Sequence, residues 1–255
     1  MIVGLGAAEV LHVTGTGVVL SRHQAGVWLR LPGGICGLAG MDSVPGPLWA
    51  RGPFPWERLA PGRPVVLGDV LFGGGLPLWR GALPPPDLVE AAPARRLAVE
   101  TLDGARPSAV GQPPLADAAR RAATAVADGD LAGAAAELGG LGPGLTPAGD
   151  DVLAGLLLAA RARFGSVVEP HLLAVATSVA TTDLSGAFLR WAARGQHVAP
   201  AHDLLVAAAG GDRSGAAAAV DALGAFGSSS GADLAYGLRL GLDGLPELSC
   251  CTTVG

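Results

Sequence analysis

The first third of the chain alternates hydrophobic and polar residues over short stretches that are separated by glycine and proline. Such alternation, rich in β-branched residues, is typical of half-buried strands. Valine and leucine recur at alternate positions on either side of residues 24–26, which predicts a β-hairpin with its turn there. The pattern therefore predicts a β-rich domain, barrel- or sandwich-like, over residues 1–82. Its clearest strand candidates are GVVLSRH (17–23), GVWLRL (26–31) and PVVLGDVLF (64–72).

Beyond residue 82 the pattern changes to a proline-rich connection and then to helices. The connection, residues 83–112, opens with LPPPD, which favours an extended and non-helical spacer. From Pro113 onward, alanine and leucine dominate segments that are separated by short Gly, Asp and Pro breaks. We expect an all-helical C-terminal domain over residues 113–247, so the predicted fold class is α+β with segregated halves. The predicted helices are 114–127, 130–138, 147–164, 169–180, 184–194, 201–209, 214–223 and 230–241.

Composition and charge exclude several classes of function. The chain has 255 residues, half of them hydrophobic, and a formal charge of −5, which does not favour binding to nucleic acid. It contains no lysine, which excludes a Schiff base or a Walker lysine. The longest apolar stretch, residues 152–160, is far shorter than the roughly 20 residues that span a bilayer, and no signal peptide is recognisable. We therefore expect a cytoplasmic protein without a membrane partner.

The most informative motif is LGGLGPGLTPAGDDVLAG at residues 138–155. Thr146 followed by Pro147 predicts a helix start, with the threonine hydroxyl as cap. Asp150 and Asp151 then fall in or near the first helical turn. The glycines before them permit positive φ angles and a close approach of the backbone, so that successive N–H groups could line a cradle for an anion. These glycines are Gly139, Gly140, Gly142 and Gly144.

The two aspartates conflict with a simple phosphate site, because carboxylates repel phosphate. A divalent cation such as Mg²⁺ between them, or a neutral or positive part of the substrate, would resolve the conflict. A structural role is the alternative, since a helix dipole stabilises an aspartate in its first turn by roughly 0.3–1 kcal/mol. The sequence leaves both interpretations open.

A similar motif occurs later in the chain. TPAGDDVLAGL (146–156) and SSSGADLAYGL (228–238) share a hydroxyl residue, a glycine, an aspartate and a second glycine at the same spacing. In each copy the aspartate and the second glycine lie on one helix face, where the glycine lets another backbone pack closely. We predict that Asp151 and Asp233 face one pocket, with Gly155 and Gly237 at the contact between their helices. A shared capping device, with Ser230 and Asp233 as a capping box, is the alternative.

Between the two copies, TSVATTDLSGAFLRWAARG (177–195) gathers hydroxyl and acidic residues at one helix junction. Thr182 or Asp183 is expected to cap the helix. Ser185 lies next to the apolar stripe of Leu184, Phe188 and Trp191, where its hydroxyl could point into a cleft. The histidines have no zinc-ligand spacing, and no serine lies in a G-x-S-x-G elbow.

The motifs GLGPGLTPAGDDVLAGLL, TTDLSGAFLRWAARG and GSSSGADLAYGL together resemble the family of the AllH-type subunit of oxamate carbamoyltransferase. The resemblance covers the helical half, while the β-rich half matches only in general character. It implies a carbamoyl- or phosphate-handling subunit that works beside other subunits, in an assembly that converts oxalurate and phosphate to oxamate and carbamoyl phosphate. A small anionic substrate and further subunits of the complex are the implied partners.

Such a reaction needs donors for phosphate and a stabiliser for the carbamoyl oxyanion, which N–H groups at two facing helix starts could supply. The candidate catalytic residues are Asp150, Asp151 and Asp233, of which Asp150 and Asp151 are also the candidate Mg²⁺ ligands. The candidate substrate-binding residues are Gly142, Gly144, Thr146, Gly149, Ser185, Ser229, Ser230 and Gly231. A noncatalytic scaffold is the alternative function, in which Trp28, Trp49, Trp56 and Trp79 would anchor a partner.

Overall fold

A computed structural model of the chain describes residues 1–13, 15–54, 59–67, 77–108 and 113–247. The chain forms two compact units, one of residues 1–81 with 196–199 and the other of residues 82–195 with 200–255. The first contains the sheet and the second is helical, which confirms the α+β class. The domain boundaries inferred from composition stay predictions.

Within the described residues, the first unit contains a mixed sheet of seven strands in the order β6-β2-β3-β4-β5-β1-β7. Residues 68–72 of the predicted strand 64–72 lie outside the described residues. The predicted hairpin is confirmed: β2 and β3 pair antiparallel, and His23 pairs with Gly26 across the turn. The described strands belong to one sheet rather than to two packed sheets of a sandwich. The strands are β1 (Ile2–Gly4), β2 (Gly15–His23), β3 (Gly26–Leu31), β4 (Gly34–Ala39), β5 (Trp49–Arg51), β6 (Pro64–Leu67) and β7 (Leu78–Trp79).

The short helix α1 (Leu5–Leu11) follows β1 and contributes to the core of this unit. Its Ala7, Val10 and Leu11 are buried together with the inward-facing residues of β2, β3 and β4. The sequence pattern did not reveal this helix, because seven residues are about two turns and give little periodic signal.

In the sheet itself, the rings of Trp28 on β3 and Trp49 on β5 pack together with centroids 3.9 Å apart.

The second unit contains ten of the described helices, and the eight predicted from the sequence are all confirmed to within a few residues. The expectation of an extended connection is wrong for residues 86–101, where Pro86 and Pro93 occupy first-turn positions that need no N–H donor. The helices are α2 (Pro86–Glu90), α3 (Ala92–Thr101), α4 (Pro113–Ala127), α5 (Leu131–Leu138), α6 (Ala148–Phe164), α7 (Glu169–Ser178), α8 (Asp183–Ala193), α9 (Ala199–Ala209), α10 (Arg213–Gly224) and α11 (Ser230–Gly244).

The helix α6 is the centre of this unit, since nearly all of its residues are buried. It packs most extensively against α11, and α5 and α8 pack against it as well. At its C-terminal end the buried Arg163 forms an ion pair with Glu90 and donates hydrogen bonds to the carbonyl oxygens of Gly241 and Leu245. These bonds hold α2, α6 and the end of α11 together.

The two similar motifs are parts of a longer internal repeat. Asp130 and Asp212, 82 residues apart, are the N-caps of α5 and α10, and each accepts a hydrogen bond from the glycine three residues later. Each follows a glycine with positive φ, Gly129 at 75° and Gly211 at 72°. The segments α4–α5–α6 and α9–α10–α11 thus share caps and turns as well as the aspartate motif.

Candidate functional site

The first turns of α6 and α11, here called the helix-start pair, lie together because two glycines allow their helices to touch. A Cβ at Gly155 would come within 3.0 Å of the carbonyl oxygen of Leu234, and one at Gly237 would come equally close to that of Val152. The close approach is therefore reciprocal. This confirms the prediction that Gly155 and Gly237 lie at the contact between the two helices.

The hydroxyl groups of Thr146 and Ser230 meet at the helix-start pair, with their oxygens 3.3 Å apart. The expectation that Thr146 caps α6 is wrong: the N-cap is Pro147, and the helix begins at Ala148. Ser229 is the N-cap residue of α11 but forms no side-chain capping bond. The threonine hydroxyl therefore links two helices instead of closing one.

Asp150 is buried, with 1% of its surface exposed, and both of its oxygens accept hydrogen bonds. Oδ1 accepts from the Gly140 N–H at 2.7 Å, and Oδ2 accepts from the Thr181 hydroxyl. The residue thereby joins the glycine-rich loop, α6 and the segment before α8. This arrangement gives Asp150 a positioning role, while the catalytic and metal-binding roles predicted from the sequence stay predictions.

Asp233 is fully buried and is held by a residue that the sequence interpretation missed. Ser108 donates its N–H to Oδ1 and its hydroxyl to Oδ2, both at 2.7 Å. Burial raises the pKa of Asp233, while the hydrogen bonds from Ser108 and Ser229 lower it. Because 125 residues separate Ser108 from Asp233, no local sequence signal could have indicated this pair.

Asp151 differs from both of the other aspartates, because its Oδ2 is buried and has no hydrogen-bond partner among the described residues. Only 6% of the residue is exposed. Burial raises the pKa of Asp151 well above its ordinary value, and the negative charges of Asp233 and Asp150 raise it further. A hydrogen bond from Ser230 opposes these effects. A desolvated carboxyl group beside like charges is typical of a functional site.

The N–H groups of the helix-start pair are already engaged by the backbone. Those of Gly149, Asp150 and Asp151 donate to the carbonyl oxygens of Leu141 and Pro147. The corresponding N–H groups of Gly231, Ala232 and Asp233 donate to Phe226 and Ser229. The anion cradle of free N–H groups that the sequence suggested is therefore not formed by these six donors.

The candidate glycines serve the backbone geometry. Gly142 and Gly144 have φ angles of 118° and 95°, which side-chain-bearing residues rarely adopt, and both are exposed. Gly149 and Gly231 lie so close to the carbonyl oxygens of Leu138 and Leu223 that a Cβ would not fit. Their contact with a substrate stays a prediction.

The start of α8 adds a second buried polar atom without a partner. Thr182 is the N-cap, as expected, and accepts a hydrogen bond from the N–H of Ser185 at 3.1 Å. The Ser185 side chain is buried, with 1% of the residue exposed, and its Oγ has no hydrogen-bond partner within the described ranges. Since Thr181 binds Asp150, the starts of α6 and α8 are linked directly.

The described part of the chain gathers no group of three or more His, Cys, Asp or Glu side chains that could hold a metal ion. Both oxygens of Asp150 and both of Asp233 already accept hydrogen bonds from the protein. The residues present therefore do not form a Mg²⁺ site as they stand, and Mg²⁺ binding by Asp150 and Asp151 stays a prediction.

Comparison with known families supports the resemblance drawn from the motifs. Residues 138–242 match the AllH family model. The description of that family is oxamate carbamoyltransferase subunit AllH. The AllH match contains the helix-start pair, all three aspartates and Ser185, but it excludes Ser108 and the sheet. No solved structure matches the chain.

The described residues form no helix that is both long and apolar enough to cross a membrane. The tryptophans that motivated a docking surface are partly accounted for by packing. Trp28 and Trp49 are buried in the sheet unit, and Trp56 lies outside the described residues. Trp79 is half-buried in β7 at the sheet edge.

Proposed function

We propose that this chain is a subunit of a carbamoyltransferase complex and that it binds a small carbamoyl substrate at the helix-start pair. The proposal rests on Oδ2 of Asp151, which has no hydrogen-bond partner in the described part of the chain and lies inside the segment that matches AllH. A buried carboxylate oxygen without a donor is rare in a folded chain and points to a missing partner.

The reaction we propose is the phosphorolysis of oxalurate to oxamate and carbamoyl phosphate. The bond between the carbamoyl carbon and the oxamate nitrogen breaks, a bond from a phosphate oxygen to the carbamoyl carbon forms, and the nitrogen gains a proton. Asp151 would accept hydrogens of the carbamoyl amide and so fix its orientation. Fixed orientation of reacting groups is one of the main sources of rate acceleration in enzymes.

Other subunits are needed in this proposal, because the helix-start pair offers few free donors for phosphate. The six N–H groups named above are engaged, and Asp150 and Asp233 bring further negative charge. The phosphate and the developing oxyanion therefore require donors from elsewhere in the complex. A noncatalytic scaffold is the competing proposal.

To test this function, the gene for this chain is co-expressed with its neighbouring genes, and the purified complex is assayed for oxalurate phosphorolysis. We expect Asp151→Asn to leave the complex assembled and to reduce turnover by about 100-fold or more, as loss of a substrate-orienting group typically does. The matched control is Asp130→Asn, since Asn caps a helix as well as Asp does. Full activity of an assembled Asp151→Asn complex would favour the scaffold.

A further inference from the structure

The Asp233 end of the helix-start pair is closed by a residue from another part of the chain, Ser108. Both oxygens of the Asp233 carboxylate accept hydrogen bonds from this one residue, Oδ1 from its N–H and Oδ2 from its hydroxyl, each at 2.7 Å. Asp233 is fully buried, whereas Ser108 is exposed. Ser108 therefore lies between the carboxylate and the solvent.

The internal repeat shows what Ser108 changes. Asp151 and Asp233 occupy equivalent positions, 82 residues apart, in the first turns of α6 and α11. Both oxygens of Asp233 are paired, while Oδ2 of Asp151 has no partner among the described residues. Asp233 is therefore placed to act on the site through its neighbours rather than by direct contact with a substrate.

The neighbours of Asp233 lead to Asp151. The Asp233 N–H donates to the carbonyl oxygen of Ser229 at 3.1 Å, and the Ser229 side chain hydrogen-bonds to the Asp233 carboxyl group. The next residue, Ser230, hydrogen-bonds to Asp151. The first turn of α11 thus connects the carboxylate that Ser108 holds to the carboxylate that carries the proposed site.

We propose that Ser108 is a positioning residue of the helix-start pair: it fixes the Asp233 carboxylate and thereby holds the first turn of α11, so that Ser230 stays against Asp151. A buried carboxylate that loses a donor is unfavourable and turns towards other donors or water, and the turn of helix that carries it moves with it. Ser108 precedes residues 138–242, which match AllH, so this role adds a residue from outside the matched segment to the site. The effect on turnover rests on the proposed function, whereas the effect on α11 does not.

A double-mutant cycle on the full chain tests the link without an activity assay. Ser108→Ala keeps the N–H bond to Asp233 and removes only the hydroxyl bond, and Ser230→Ala removes the bond to Asp151. We expect the two changes to be coupled. In urea, the unfolding constant of the double variant should differ by about threefold or more from the value expected of independent changes. Independent effects would overturn the proposal.

Ser214 provides the matched control, because its hydroxyl donates to Asp212 at 2.8 Å at the start of α10. Ser214→Ala removes the same kind of bond elsewhere, so its effect should be independent of that of Ser230→Ala. Coupling of equal size in this control pair would contradict the proposal, because it would not be specific to Ser108. Ser108→Cys, which keeps a weak S–H donor, takes the place of Ser108→Ala if that variant does not fold.

In the assembled complex, Ser108→Ala should lower kcat by about tenfold or more, because small displacements of orienting groups have effects of at least that size. Ser108→Thr keeps the N–H and the hydroxyl and should restore kcat. Val126→Ala is the control for stability alone, since this buried valine lies beside Gly244 at the other end of α11. Equal losses of kcat in Ser108→Ala and Val126→Ala, or no recovery in Ser108→Thr, would overturn the proposal.

The two proposals fail separately. An inactive complex together with a coupled cycle would reject the proposed function and retain the positioning role of Ser108. An active complex together with an uncoupled cycle would retain the proposed function and reject that role.

Discussion

Asp150, Asp151 and Asp233 lie at the same pair of helix starts, but their oxygens have different partners. Asp150 is bonded to Gly140 and Thr181, and Asp233 is bonded to Ser108. Asp151 keeps one oxygen unpaired in the described structure. Asp150 and Asp151 are adjacent in sequence but differ in their contacts: Asp150 holds the glycine-rich loop, whereas Asp151 is the residue that we propose to contact the substrate.

Burial of the Asp151 carboxyl group, one oxygen of which has no partner among the described residues, lowers the stability of the folded chain by an amount that depends on pH. Its pKa is raised well above the ordinary 3.8, chiefly by burial and then by the charges of Asp233 and Asp150. Below pH 3.8 the carboxyl is protonated in both the folded and the unfolded chain. Above it the unfolded chain releases the proton first, so stability falls as pH rises until the folded pKa is passed.

We therefore expect Asp151→Asn to be more stable than the unaltered chain at pH 7 and to differ least near pH 4. The difference in unfolding free energy should grow by up to about 1.4 kcal/mol for each pH unit below the folded pKa of Asp151. Urea unfolding at several pH values measures it, with Asp130→Asn as the control at an exposed cap. Parallel stability curves for Asp151→Asn and the unaltered chain would contradict this prediction.

At the scale of elements, the site depends on how closely α6 and α11 approach. Gly155 and Gly237 contact the opposite backbone in a reciprocal manner, one turn beyond the aspartates that they help to position. Helices that touch by backbone have little freedom to shift. The approach therefore fixes the distance between the two carboxyl groups, which supports a site on rigid elements.

Gly155→Ala tests this contact, because the added Cβ would lie within 3.0 Å of backbone atoms of Leu234 and Leu238. We expect a loss of about 1–3 kcal/mol in unfolding free energy, as for other overpacked positions. The matched control is Gly224→Ala in α10, where nothing lies within 4 Å of an added Cβ. That change should raise stability by up to about 1 kcal/mol, since Ala favours a helix over Gly. Chemical denaturation compares the two, and equal effects would contradict the prediction.

The sequence predicted the elements of the helical half well, because alanine-rich segments with Asp and Thr caps carry strong local signals. Thr182 is one example, and it caps α8 as expected. These caps depend on residues within one or two turns of each other. The contact between Gly155 and Gly237 was instead predicted from the similarity of two motifs that lie 82 residues apart.

The rest depended on contacts between distant segments. Ser108 could not be found, because nothing near it in sequence indicates that it meets Asp233. The cap assigned to Thr146 was wrong because its hydroxyl meets Ser230 instead. Gly140, one of the glycines expected to offer a free N–H group before α6, instead donates its N–H to Asp150, which only the folded loop reveals.

At the scale of the whole molecule, one short segment belongs to a different unit from its neighbours in sequence. Residues 196–199 lie in the sheet unit, although the helical unit contains the residues before and after them. The Gln196 side chain accepts a hydrogen bond from the Gly81 N–H at 2.8 Å and donates one to the Gly81 carbonyl oxygen at 3.0 Å. Ala199 donates its N–H to the Pro45 carbonyl oxygen at 2.9 Å, and Val198 is fully buried.

The sheet unit should therefore be incomplete when it is made from residues 1–81 alone. We expect this fragment to be poorly soluble by itself and to co-purify with a fragment of residues 82–255, which supplies the missing segment 196–199. Gln196→Ala in the second fragment removes two hydrogen bonds and should weaken the association by about tenfold or more. The control is Gln112→Ala in that fragment, a glutamine that lies outside segment 196–199. Affinity capture and calorimetry provide the measurements. A soluble, cooperatively folding fragment 1–81 that does not bind the second fragment would show that residues 196–199 are dispensable for the sheet unit.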